Sequence, residues 1–225
     1  HEISPDAEAL LDVEIPVLGE GYVKLVDYMG SDHAILNAAR VSTGRDEKPR
    51  SEAENVGLIS YLRRHGHTTP SEMVEMLWEM RVPLFVYRQG GRHRTFERVL
   101  FDSSENITFY HPKLENIAAQ SRINHQGRGE IAHNEIAGQF LQCLRDNETQ
   151  AMKLYYQLRQ AGVHSNVARR HLPVNKFLDL ALKTDLHNAL HYLGLRLDSH
   201  AQLEIREPSE AMAKCVRAIA PWSYD

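Results

Sequence analysis

The stretch from Thr69 to Gly91 constrains the fold most, because it carries a start, a period and a stop in succession. Thr69-Pro70-Ser71-Glu72 has the form of a helix start: Thr69 as N-cap, Pro70 as the first helical residue and Glu72 as the capping-box partner. Trp78, Met80 and Val82 then alternate with Glu79 and Arg81, and that period of two predicts a strand. Pro83 opens an apolar helix from Leu84 to Gln89 that runs into Gly90-Gly91. Each glycine costs a helix interior about 1 kcal/mol relative to alanine, so the helix ends or loosens there.

The same reasoning extends along the chain. Residues 13–28 read as a strand or two around the Gly19-Glu20-Gly21 turn. Ser31 and Asp32 start a short helix over Ile35 to Arg40. A second helix is predicted from about Glu52 to Arg64, with Val56, Ile59 and Leu62 on one face and Gly66 at its end. Residues 113–130 are polar and rich in Gly, Asn and Gln, which predicts a surface loop. Two helices follow, about 130–145 and 147–161, then a short one over 165–171 before Pro173. Residues 175–183 fit either a strand or a helix. Asp185 caps a helix with Leu186, Leu190 and Leu193 at helical spacing, and a last helix spans roughly 199–219 with Pro208 kinking it. Strands separated by helices give an α+β (α/β-like) class. A length of 225 residues fits one domain, 1–225.

Composition excludes several classes. Apolar residues make up 42% and charged residues 25%, a globular balance. No apolar run reaches the roughly 18 to 20 residues that span a bilayer, so no membrane partner is expected. Lys and Arg number 26 against 30 Asp and Glu, a net charge of −4 that does not favour nucleic acid. A nucleic-acid-binding module using Arg92 to Arg98 is the competing class, and it lacks a basic stripe. Cys143 and Cys215 are too few for a disulfide framework or a Cys-based zinc site. The N-terminus shows no secretory pattern, and a reducing cytoplasm is the expected compartment.

Five clusters could carry chemistry. Arg92-His93-Arg94, flanked by Arg88-Gln89 and Arg98, sets cation-capable side chains side by side. A bound anion relieves their repulsion, and guanidinium forks grip phosphate well. The plain alternative is a solvated basic turn. His65-Gly66-His67-Thr68-Thr69-Pro70 offers a helix N-terminus as a second anion site, or only ordinary capping. His187 and His191 lie at i and i+4, but Asn188 stands where a zincin needs Glu and no third ligand is evident, so no metal is predicted. Arg196 sits between Leu195 and Leu197, so it is partly buried and needs an anionic partner, for which Asp198 is the structural candidate. Arg169 and Arg170 lie on a short helix before Pro173, where a solvated helix end is the simplest account.

Together these segments resemble the flavin-dependent thymidylate synthases from about Pro16 to Trp222. The matching pieces are Gly21 to Gly30, Ala38-Ala39-Arg40-Val41-Ser42, His65 to Pro70, the Arg92-His93-Arg94 signature and Leu195 to Gln202. The resemblance implies a twisted central sheet flanked by helices, and a homotetramer whose active sites are shared between subunits. It implies C5 methylation of dUMP to dTMP, with methylenetetrahydrofolate as carbon donor and FAD, reduced by NADPH, as hydride source. Carried over by position, Ser42, His67, Thr69, Glu72, Arg92, His93, Arg94, Asp185, His187 and His191 belong to the flavin pocket. Gln89, Arg92, Ser103, Arg169 and Arg196 fall at nucleotide-binding positions, and Arg196 matches the arginine that stabilises charge on the uracil ring.

One segment departs from the family pattern. After the signature the family has Asn-Glu, then a serine, a small residue and an arginine that grip phosphate. Here the run is Thr95 to Asn106, with Ser103 for the serine, Glu105 near the arginine's place and Arg98 as a compensating cation. Gly90-Gly91 replaces bulkier apolar residues. Three readings follow: a dUMP methylase with a rearranged loop, a relative acting on UMP as in specialised nucleoside pathways, and a flavin-binding paralogue without synthase activity.

Overall fold

The computed structural model describes residues 3–41, 44, 49–101, 106–120, 128–199 and 201–225. Five antiparallel strands form the sheet in the order β1-β2-β3-β7-β4: β1 (Glu14–Val17), β2 (Gly21–Met29), β3 (Glu75–Pro83), β7 (Phe177–Asp185) and the edge strand β4 (Glu97–Leu100). A separate ribbon pairs β5 (Ala118–Gln120) with β6 (Arg128–Ile131). The helices are α1 (Pro5–Glu8), α2 (Asp32–Val41), α3 (Glu52–Arg64), α4 (Leu84–Gly90), α5 (Asn134–Gln160), α6 (Ser165–Ala168), α7 (Leu186–Arg196), α8 (Leu203–Ile219) and α9 (Pro221–Tyr224). The mixed helix-and-sheet class expected from the sequence is the one observed.

The period of two in β3 sets the core. Met76, Trp78, Met80 and Val82 are buried on one face, where α7 and α8 cover the sheet. The intervening residues form a ladder of cross-strand ion pairs on the other face: Lys24 with Glu79, Arg81 with Asp179 at 3.0 Å, and Lys183 with Glu75 at 3.0 Å. The ambiguous segment at 175–183 is strand β7, because Leu178, Leu180, Leu182 and Thr184 alternate inward with Asp179, Ala181 and Lys183. A bulge between Leu25 and Asp27 shifts the register of β2, so inward Val23 and Leu25 are followed by Tyr28. Burial of these large apolar side chains on one face, each contributing roughly 1.5–3 kcal/mol, is the main source of cohesion.

Several expectations fail for physical reasons. Thr69 is not an N-cap: Thr69–Met73 is a 3₁₀ turn preceded by Thr68, with no side-chain cap. With Thr68 as the residue before the turn, the third position is Ser71 and not Glu72, so the carboxylate a capping box needs is one position too late. The capping box lies instead at Ser51, whose Oγ accepts from Glu54 N at 3.3 Å while Glu54 accepts from Ser51 N at 2.8 Å. The predicted loop at 113–130 contains a 3₁₀ turn at Leu114–Asn116 and the β5–β6 ribbon. The two helices predicted at 130–145 and 147–161 are one helix, α5, because inward Ala137, Leu141, Glu148, Ala151 and Tyr155 keep helical spacing through Asp146 and Asn147. The last helix begins at Leu203, with Pro208 inside it.

Two polar anchors join distant segments. Asp32 is 3% exposed and accepts from Trp222 N (2.8 Å), Ser223 N (3.0 Å) and Ser223 Oγ (2.5 Å), fixing the last helix against α2. Burial holds its carboxyl above the ordinary range despite those donors. Buried Glu148 on α5 meets His111 Nε2 at 2.7 Å and accepts from Asn175 Nδ2 at 2.6 Å, tying the long helix to the start of β7.

Candidate active site

The antiparallel pairing of β3 and β7 aims two helices at each other. Pro83 pairs with Phe177 at one end of the pair, and Glu75 pairs with Asp185 at the other. Helix α4 leaves from Pro83 and α7 from Asp185, so they start at opposite ends of the sheet. Their C-terminal ends meet: Arg196 Nη2 lies 3.5 Å from the Gln89 carbonyl oxygen. The Arg92-His93-Arg94 turn links α4 to β4 and falls at this junction.

Arg196 Nη2 also lies 3.1 Å from His93 Nε2, and its guanidinium sits 6.0 Å from the Tyr192 ring. The structural partner expected at Asp198 does not pair with it. Among the described residues no carboxylate lies within ion-pair distance of Arg196. Its Nε is buried without a hydrogen-bond partner, as is Gln89 Oε1, whose own Nε2 donates to Gln202 Oε1 at 2.6 Å. Two hydrogen-bonding atoms, one donor and one acceptor, are thus withdrawn from water and unsatisfied at one junction, a costly arrangement for a fold alone.

His93 is wedged between rings, edge-on to Tyr192 at 4.9 Å and near Phe96 and His191 at 6.1 and 6.2 Å. Burial first, then the charges of Arg196, His191 and Arg98, hold its imidazole below the usual histidine range. Arg98 does not project as a phosphate-binding cation. Its Nη2 donates to the carbonyls of Gly90 (2.7 Å) and His93 (2.9 Å), clasping the signature turn, and its guanidinium packs near Tyr87 and Phe96. A small apolar hollow lined by Met80, Tyr87, Phe96, Leu182 and Tyr192 lies beneath it.

The sequence profile described as "Thymidylate synthase complementing protein" matches residues 24–222. The chain belongs to this family. A flavin-dependent thymidylate synthase from Ruegeria pomeroyi is 42% identical over 229 residues, covering 99% of this chain and 75% of the relative. One from Ehrlichia ruminantium (strain Gardel) is 40% identical over 225 residues with the same coverage. Among solved structures, the UMP/dUMP methylase PolB from Streptomyces cacaoi superposes with a TM-score of 0.79 bound to 5-bromo-UMP and 0.81 bound to 5-bromo-dUMP. Each is 27% identical and covers 91% of this chain, and 92% and 93% of the respective PolB chains.

In this member of the family the predicted site residues fall into groups. Gln89, His93, His191 and Arg196 come together at the helix junction. His67, Thr69 and Glu72 are exposed on or beside the 3₁₀ turn that packs against the start of α7, where Asp185 and His187 also lie. The rise of 1.5 Å per residue separates Asp185 from Arg196 by about 16 Å along α7. Asp185 is the N-cap of that helix, accepting from Asn188 N at 2.9 Å and Asn188 Nδ2 at 2.6 Å. Arg92 and Arg94 are exposed and form no ion pair with any described residue. Arg169 is buried in the 3₁₀ turn after α6, beside a second hydrophobic cluster of Ala151, Tyr155, Ala168 and Leu172. Ser42 and Ser103 lie outside the described residues.

Gln202, Tyr192 and the clasping role of Arg98 escaped the sequence reading. Tyr192 precedes Arg196 by four residues on α7, so their shared helix face was the available signal. Cys215 is buried and burial pushes its thiol up to about 11, which suits a packing role and not a nucleophile.

Proposed function

We propose that this chain methylates C5 of a uridine monophosphate nucleotide, converting dUMP to dTMP with methylenetetrahydrofolate as one-carbon donor. The observation that carries this reading is the half-buried Arg196 guanidinium with no carboxylate partner among the described residues, beside the unsatisfied amide oxygen of Gln89. A ligand that relieves both atoms must accept from a guanidinium and donate to an amide. The imide edge of uracil does both, through a carbonyl oxygen and N3–H. A guanidinium at a carbonyl of the ring stabilises the negative charge that makes C5 nucleophilic, so no cysteine needs to attack the ring. Arg169 and Arg92 are the further cations assigned to the nucleotide, and Ser103 is assigned to its phosphate.

The residues present fit FAD. His67, Thr69, Glu72, His187 and His191 offer polar groups along and beside α7, and exposed Arg92 and Arg94, without an ion pair among the described residues, supply cations suited to a pyrophosphate. Ser42, His93 and Asp185 complete the assigned set. When bound, and reduced by NADPH, FAD supplies the hydride that completes the methyl group. The chain's contribution is to orient the nucleotide through Gln89 and Arg196 and to exclude water from the junction with Phe96 and Tyr192, both buried.

A second reading, action on UMP as well, is supported by the likeness to PolB, a UMP/dUMP methylase. We assign the active form as a homotetramer of one-domain subunits with shared sites, operating in the cytoplasm. Exposed Ile131 at the end of β6, with Ile136 and Phe140 in the first turns of α5, offers apolar surface for assembly. Gel filtration with light scattering and flavin absorbance tests cofactor and assembly together. A species of about four times the 25.7 kDa chain mass carrying flavin is expected. A colourless monomer that FAD cannot reconstitute contradicts the proposal.

A further inference from the structure

Arginine carries only donors. The 3.1 Å contact between Arg196 Nη2 and His93 Nε2 is therefore a hydrogen bond only when Nε2 bears a lone pair, with the imidazole neutral and its proton on Nδ1. Burial and the cationic groups facing His93 favour that state. Arg196, His191 and the near-perpendicular Tyr192 ring face it from α7; Arg98 faces it from β4; Phe96 completes the wall. Arg92 and Arg94, its own neighbours in the turn, add positive charge, and no carboxylate pairs with it among the described residues. A carboxylate in its place would hold Arg196 more tightly but would neutralise it. A neutral imidazole orients the guanidinium and leaves its full charge for the ligand.

We propose that His93 is the positioning residue for Arg196, a neutral acceptor that aims an uncompensated guanidinium at the nucleotide and releases it on protonation. This rests on the methylase reading and adds a proton-controlled step to it. A protonated His93 cannot accept from Arg196 and sets a second positive charge against it. The ring's burial and its cationic neighbours hold the transition below the ordinary value of 6.5, so the aimed form dominates at neutral pH and is lost as pH falls through the lowered value.

The test compares wild type, His93→Gln and His93→Ala, each loaded with FAD, by single-turnover methylation of dUMP and UMP from about pH 5 to 8.5. The glutamine Oε1 can stand where Nε2 stands and does not titrate. Wild type should show an acid limb with an apparent pKa below 6.5. His93→Ala should be slower by between about tenfold and a hundredfold at neutral pH, the cost of a misaimed group. His93→Gln should recover most of that loss and lack the acid limb. FAD content is measured on every sample, so that rates are expressed per bound flavin. An acid limb unchanged in His93→Gln, a His93→Ala rate equal to wild type, or a His93→Gln variant as slow as His93→Ala overturns the proposal. Wild type that binds FAD but methylates neither nucleotide at any pH defeats the methylase reading instead, and the positioning role falls with it.

Discussion

At the scale of single residues, the site is built from groups that lack their usual partners. Arg196 is held by an imidazole and a carbonyl where a buried arginine commonly has a carboxylate. Its two flanking leucines made partial burial legible in the sequence. The partner was not legible, because Asp198 is nearer in sequence whereas His93 arrives through the convergence of α4 and α7. Arg98 illustrates the same limit: its charge suggested phosphate, but its reach to two backbone carbonyls depends on where β4 returns. Replacing Arg196 by alanine is expected to leave FAD content unchanged and to slow methylation by at least about a hundredfold, the scale of losing one preorganised charge-stabilising group. Lysine should not restore the rate, since a point charge cannot reproduce the fork. Turnover retained by Arg196→Ala in a single-turnover assay with bound flavin quantified would refute the role.

At the scale of elements, periodicity was the reliable signal and local punctuation the unreliable one. Strand β3 followed from alternation, and α3 and α7 from caps and apolar spacing. Thr69-Pro70-Ser71-Glu72 misled because a five-residue 3₁₀ turn can carry the residue types of a helix start. Asp146 and Asn147 looked like a boundary, yet the inward positions of α5 continue past them. Strands β5 and β6 are too short to announce themselves by a period of two. Two glycines separate the roles that element context gives the same residue. At Gly21 in β2 an added Cβ would lie 2.6 Å from the Arg81 carbonyl oxygen and 2.7 Å from that of Val17, both backbone atoms that cannot yield cheaply. At Gly57, inside α3, it would meet nothing within 4 Å. Gly21→Ala should therefore destabilise by about 1–3 kcal/mol. Gly57→Ala should stabilise by roughly 0.5–1 kcal/mol through its helix propensity. Urea midpoints of the two variants moving in the same direction would contradict this account of the sheet and helix packing.

At the scale of the whole molecule, a chain of 225 residues with 26 Lys and Arg against 30 Asp and Glu carries a dense cluster of cations at the turn between α4 and β4. No helix among the described residues is long and apolar enough to cross a membrane. The antiparallel β3–β7 pair explains why motifs more than a hundred positions apart in sequence, Gln89 to His93 and Arg196 to Gln202, form one junction. That junction joins a buried donor and acceptor of the kind a pyrimidine satisfies, while the histidines along α7 extend it toward the proposed flavin side. Subunits sharing sites would let a small chain handle a nucleotide, a folate and FAD together. The most direct test is to incubate the FAD-loaded protein with NADPH, methylenetetrahydrofolate and either dUMP or UMP, and to identify the nucleotide product by mass spectrometry. The account predicts a product carrying one added methyl group at C5, formed from dUMP and absent when FAD or the folate is withheld. Recovery of both nucleotides unmethylated by protein that holds FAD would contradict it.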